Sequence, residues 1–156
     1  MKTVDLKTTS SRTISVGEET FVYIVISVIP DPTPGGNKAL LNGIECAVSF
    51  NPSIIEILGV TEEPFLNQTG ETAFIYVGLD STSNSILRRI SCALLRSKYK
   101  TLVYPNIGNY AKIRLKGKAV GSTNLVVFDE TVFLEKSEEV TVRHETTFNG
   151  ATITVQ

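Results

Sequence analysis

Residues 41–60 read LNGIECAVSFNPSIIEILGV, and the side-chain order within them decides the fold. Ile44, Cys46, Val48 and Phe50 share one parity, while Glu45, Ala47 and Ser49 share the other. Successive side chains of an extended chain point to opposite faces, so the first set enters a core and the second leaves it. Asn51-Pro52 then stops the strand, because proline cannot donate to a ladder. The apolar run that resumes at Ser53 reads as one helical turn followed by a short strand.

The same grammar extends in both directions. Thr20–Ile29, TFVYIVISVI, is an almost continuous apolar strand, as expected of one that is central or covered on both faces. It ends at PDPTPGGN, whose prolines and glycines force a loop. Glu71–Leu79 and Ser85–Leu95 flank the polar turn DSTSNS and read as a hairpin. In YAKIRLKGKAV, Ala111, Ile113 and Leu115 alternate with Lys112, Arg114 and Lys116. GSTNLVVFD is a further strand, ETVFLEKSEEVTVRH a small excursion or hairpin, and NGATITVQ the closing strand. No helical stripe exceeds two turns. About nine strands with turn signals roughly every ten residues predict an all-β sandwich, one domain over residues 1–156.

Composition narrows the function. The chain has 156 residues and a formal net charge of −1. No strong field of either sign exists to hold nucleic acid or an anionic membrane. No apolar run approaches the roughly 20 residues of a membrane span, and the N-terminus lacks the apolar centre of a signal peptide. The chain thus reads as a module cut from a larger polypeptide, a start that by itself does not fix its compartment. Its single histidine, His144, has no nucleophile motif beside it, and no G-x-S-x-G, H-E-x-x-H or P-loop occurs. Glu62-Glu63 and Glu138-Glu139 are adjacent, so on a strand they diverge and do not form an acid/base pair. No enzyme and no resident cofactor are expected. Neither PDPTPGGN nor LDSTSNS carries the carboxylates of an EF-hand loop, so no metal site is expected. Asn67-Gln-Thr69 matches the N-glycosylation acceptor pattern.

Four blocks together resemble the cohesin domain, the receptor module that binds dockerins. They are VGEETFVYIVISVI, GIECAVSFNPSIIEILGV, GNYAKIRLKGKAVGSTNLVVFDE and NGATITV. The resemblance runs from about Val4 to Val155 and implies a nine-stranded jelly roll. It also implies a flat sheet of strands 8, 3, 6 and 5 as the dockerin-binding face, with calcium belonging to the dockerin. Glu45 stands where the family's acidic residue usually sits. The face would then hold Glu45, Ala47 and Ser49 from strand 3, and Ser91, Ala93 and Leu95 from strand 6. Arg96, Lys98 and Tyr99 follow strand 6 and would steer an acidic partner loop. Tyr76 and Asp80 lie on or after strand 5, although Phe74 and Val77 leave the parity of Tyr76 open. A row of small side chains suits close approach of a partner helix. Weak self-association is a second expectation for such a face.

Two other readings stay open at this stage. A carbohydrate-binding module would need an aromatic platform, and the chain has no Trp and five dispersed Tyr. A surface-layer or adhesin scaffold domain would need no single partner. The thiols of Cys46 and Cys92 carry the same parity on strands that the resemblance sets side by side. Buried thiols are expected, with a bridge as the alternative.

Overall fold

The computed structural model describes residues 3–29, 41–67, 72–79, 86–94, 107–134, 139–140 and 150–156. Two sheets pack face to face. The smaller contains β1 (Thr3–Thr9), β3 (Glu19–Ile29), β8 (Ile107–Gly117) and β5 (Ile55–Glu62) in the order β1-β3-β8-β5. The larger runs β2-β11-β9-β4-β7-β6. Its members are β2 (Arg12–Ile14), β11 (Gly150–Val155), β9 (Gly121–Leu134), β4 (Leu41–Ser49), β7 (Ile86–Leu94) and β6 (Thr72–Leu79). The two-residue β10 (Glu139–Val140) pairs with β9, closing the excursion foreseen after Asp129. One helical turn, α1 (Pro64–Asn67), follows β5.

β1 and β2 form a single strand that changes sheets. β1 runs antiparallel to β3, whereas β2 runs parallel to β11 in the other sheet. The change happens at Ser10, whose φ of 72° lies in the left-handed region and redirects the chain. With β1–β2 taken as one strand and β10 set aside, the described residues form the nine strands expected.

Alternation builds the core. Val22, Ile24 and Ile26 of β3, Ile44, Cys46 and Val48 of β4, and Ala111, Ile113 and Leu115 of β8 are buried. Leu125 and Val127 of β9 and Ala151, Ile153 and Val155 of β11 join them. β3 is central, as its composition predicts, lying between β1 and β8. Its apolar continuity comes from outward aromatics. Phe21 and Tyr23 stack edge to face at 5.3 Å, and Lys112 Nζ sits 4.2 Å from the Phe21 ring centroid. The ring quadrupole attracts the cation, and the lysine stem covers the ring.

Hydrogen bonds join the two layers. The Thr8 hydroxyl, near the end of β1, is buried. It donates to the carbonyl of Leu125 and accepts from the amide of Ala151 at 2.8 Å, register partners in β9 and β11. Tyr110, fully buried on β8, donates its hydroxyl to the Ile44 carbonyl of β4 at 3.0 Å. Thr72 of edge strand β6 donates to the Glu62 carboxylate of edge strand β5 at 2.5 Å. Between β4 and β5, the chain turns as Asn51-Pro52 requires. The Asn51 side chain accepts from Ser53 N–H at 2.9 Å, and its carbonyl accepts from Ile54 N–H at 3.1 Å. This is the single helical turn read from the sequence.

Candidate functional site

The order β9-β4-β7-β6 reproduces the 8-3-6-5 sheet that the resemblance implies, and β4 lies at its middle. Since Ile44, Cys46 and Val48 fill the core, Glu45, Ala47 and Ser49 lie on the outer face. Glu45 is half-buried there, flanked in register by Thr131 of β9 and Ser91 of β7. Ser91 in turn pairs with Ile75 of β6. One transverse row therefore carries Thr131, Glu45, Ser91 and Ile75. The next row carries Phe133, Gly43, Ala93 and Ala73. Gly43, Ala93 and Ala73 are small residues, and small residues let another backbone come close.

The structure resolves the parity that the sequence left open at Tyr76. Tyr76 is not on the outer face. It points inward with Phe74 and packs against the core, because two aromatic rings of the same parity bury more apolar area than the residues between them. Its half-burial raises its phenol pKa above the usual tyrosine value through desolvation. The residue that faces outward instead is Ile75, 58% exposed, with Ala73 beside it on the same parity. Sequence reading missed Ile75 because β6 is apolar on both parities. The signal was the Phe74/Tyr76 pair, which claims the core.

Ala47 faces outward but is only 5% exposed. The register shifts on both sides of β4 here, and Ala47 stands opposite half-buried Phe128 of β9. A one-carbon side chain beside a ring forms floor, not a contact point. Ser49 is half-buried, and its hydroxyl donates to the Val126 carbonyl at 3.5 Å.

Val126 and Phe128 of β9 also lie on the outer face, a contribution the sequence reading did not assign. Their inward neighbours Leu125 and Val127 are equally apolar, so the run carries no alternation to separate the two faces. Ser91 and Ala93 hold the register positions given above. Asp80, Leu95, Arg96, Lys98, Tyr99 and His144 lie outside the described residues. Asn67 ends α1, just after the Phe65 ring that packs beneath Gly108 of β8. Cys46 is buried and stands opposite Ile90 in the β4–β7 register, and Cys92 stands opposite Ile44.

Toward the other end, the face turns polar. Ser122 and Thr154 hydroxyls lie 3.2 Å apart, and Thr152 donates to the Asn124 side-chain carbonyl at 2.9 Å. An open groove of about 550 Å³ lies beside this strip, lined by Ser49, Phe50, Asn51, Pro52, Thr123 and Asn124. Among the described residues, no three His, Cys, Asp or Glu side chains converge to hold a metal ion. No described helix is long and apolar enough to cross a membrane.

No protein-family model matches this chain, and no curated protein sequence matches it. Solved structures do. A non-cellulosomal cohesin from the archaeon Archaeoglobus fulgidus superposes with a TM-score of 0.66 at 15% identity, over 99% of this chain and 91% of that one. The OlpC cohesin of a type I cohesin–dockerin complex from Clostridium thermocellum gives 0.69 at 9% identity, over 100% and 94%. The third ScaC cohesin of Acetivibrio cellulolyticus, solved with the ScaB dockerin, gives 0.67 at 15% identity, over 99% of both chains. The fold is that of the cohesin domains, a β-sandwich.

Proposed function

We propose that this chain is a non-catalytic recognition module that binds a dockerin domain across the outer face of β9, β4, β7 and β6. The observation that carries the reading is the transverse row through Glu45 and Ile75 on that sheet. It sets an acidic and an exposed aliphatic residue on one face, with small residues in the adjoining row. Two of the similar structures hold dockerins in complex, which supports assigning the same class of partner here. A surface of this kind covers about 800 Å² per partner. Against a carbohydrate platform stand the aromatics: Phe74 and Tyr76 pack inward, and Phe21 is covered by Lys112. The module works outside the cell or at its surface as part of a larger assembly, and calcium resides on the dockerin.

Isothermal calorimetry against a panel of dockerins, with and without calcium, tests the reading. Calcium-dependent binding is expected, and Glu45→Arg weakens it by roughly 10-fold or more, since reversing a charge at the centre of an interface sets like charges together. Retention on cellulose or chitin with no dockerin binding would replace this reading with the carbohydrate one.

A further inference from the structure

The edge of a sheet carries unpaired N–H and C=O groups that template the addition of another strand, and folded proteins guard such edges with charge, brevity or bulges. Among the described residues the two sheets end on β1, β5, β2 and β6, and three of these are guarded. β1 carries Asp5 and Lys7. β2 is three residues long and begins with Arg12. β5 carries Glu56 and Glu62, and its register with β8 shifts between Ile57 and Gly59. β6 has none of these devices. It runs for eight residues, TAFIYVGL, with no charge and no proline, and its register with β7 holds from Thr72 to Leu79. Among the described residues, no strand pairs on its far side.

The core is also open at this edge. Phe74 and Tyr76 point inward yet stay half-buried, whereas Ile44, Cys46 and Val48 of β4, two strands in, are fully buried. Phe74 rests edge to face on Tyr110 at 6.3 Å, which fixes its ring in place. On the other parity, Ile75 is 58% exposed and Ala73 is exposed beside it. Glu62 of β5 meets the strand at Thr72, whose hydroxyl it accepts, and no charged residue follows from Ala73 to Leu79.

An edge strand is its own complement, since a two-fold rotation sets its free donors against the acceptors of a copy. We propose that two copies of this chain pair antiparallel through their β6 strands, with Ile75 on the two-fold axis. Ile75 then faces Ile75 of the second copy on the outer side. On the inner side, Phe74 of each copy stands opposite Tyr76 of the other, so the pairing covers the rings that a single chain leaves half open. Moving the axis to Phe74 would set Tyr76 against Thr72, and moving it to Tyr76 would set Phe74 against Gly78, so Ile75 is the centre that pairs both rings. An edge contact of this kind is smaller than the roughly 1,200 Å² at which stable complexes begin, so the dimer is weak and depends on concentration. Opposed residues point to the same face, so the outer faces of both copies look one way. The pairing goes beyond the dockerin reading and does not depend on it.

Sedimentation velocity and hydrogen exchange on the intact chain, from micromolar to millimolar concentration and without any dockerin, test the proposal. The dimer fraction is expected to rise with concentration, and the amide protection of residues 72–79 to rise with it. Ile75→Lys sets two cations against each other on the axis and weakens dimerisation about 10-fold or more. Leu58→Lys, on the β5 edge, leaves dimerisation unchanged. Melting temperatures of both variants at low concentration match the parent's, because both positions are exposed. A chain that stays monomeric, leaving the edge to a strand of another protein, overturns the proposal. So does a dimer whose β6 amides gain no protection, one that survives Ile75→Lys, or one that is lost in Leu58→Lys. None of these results bears on dockerin binding, which the calorimetry above tests separately.

Discussion

Tyr110 shows how one side chain can support a surface it does not reach. It is fully buried on β8, yet its hydroxyl holds the carbonyl of Ile44, the residue before Glu45. Its ring also braces Phe74, the residue before Ile75. Both outer-face candidates thus rest on the same phenol. Tyr110→Phe removes the hydroxyl and leaves a buried carbonyl without that donor, which should cost about 1–2 kcal/mol in urea unfolding. This role was not legible in YAKIRL, where tyrosine precedes the alternating run. Which carbonyl a buried hydroxyl meets depends on the opposite sheet. Glu45 and Ser49, by contrast, were placed correctly from parity alone, because the inward set of β4 is uniformly apolar. Parity failed at Tyr76 for the opposite reason: an apolar residue on each side left two assignments equally consistent with the sequence.

At the level of elements, β1 and β2 carry the main feature that periodicity does not reveal. VDLKTTSSRTI contains no proline or glycine to mark a break, yet the chain leaves one sheet for the other at Ser10. Thr8 secures that exchange, since its hydroxyl bridges the Leu125 carbonyl and the Ala151 amide. Thr8→Val keeps the shape and removes both bonds. Two buried backbone groups would lose their partner, and stability should fall by about 2–4 kcal/mol, read as a lower denaturant midpoint with an unchanged slope. The β6–β7 hairpin and the alternation of β8 were legible because their turn residues and their period agree. The long apolar run of β3 was legible as a central strand. What covers its outward rings, Lys112 from the next strand and Arg12 from β2, was not.

For the whole molecule, the proposed division of labour places calcium on the partner and leaves this chain a preformed receptor. Chelation should therefore abolish dockerin binding while leaving the melting temperature of the isolated chain unchanged, which differential scanning calorimetry with and without a chelator checks directly. A drop in that melting temperature on chelation would place a structural metal in this chain instead. The sequence by itself determined the all-β class, the core parity of β4 and β8, and the turn at Asn51-Pro52. These depend on local period and backbone chemistry, which any strand carries within itself. Only the tertiary structure decided that Glu45 and Ile75 share a row, that Ala47 lies beneath the level of its neighbours, and that the hydroxyls of β9 and β11 satisfy one another. Those facts depend on register between strands far apart in the chain. Register is set by how the two sheets fill their common core, and no single strand contains that information.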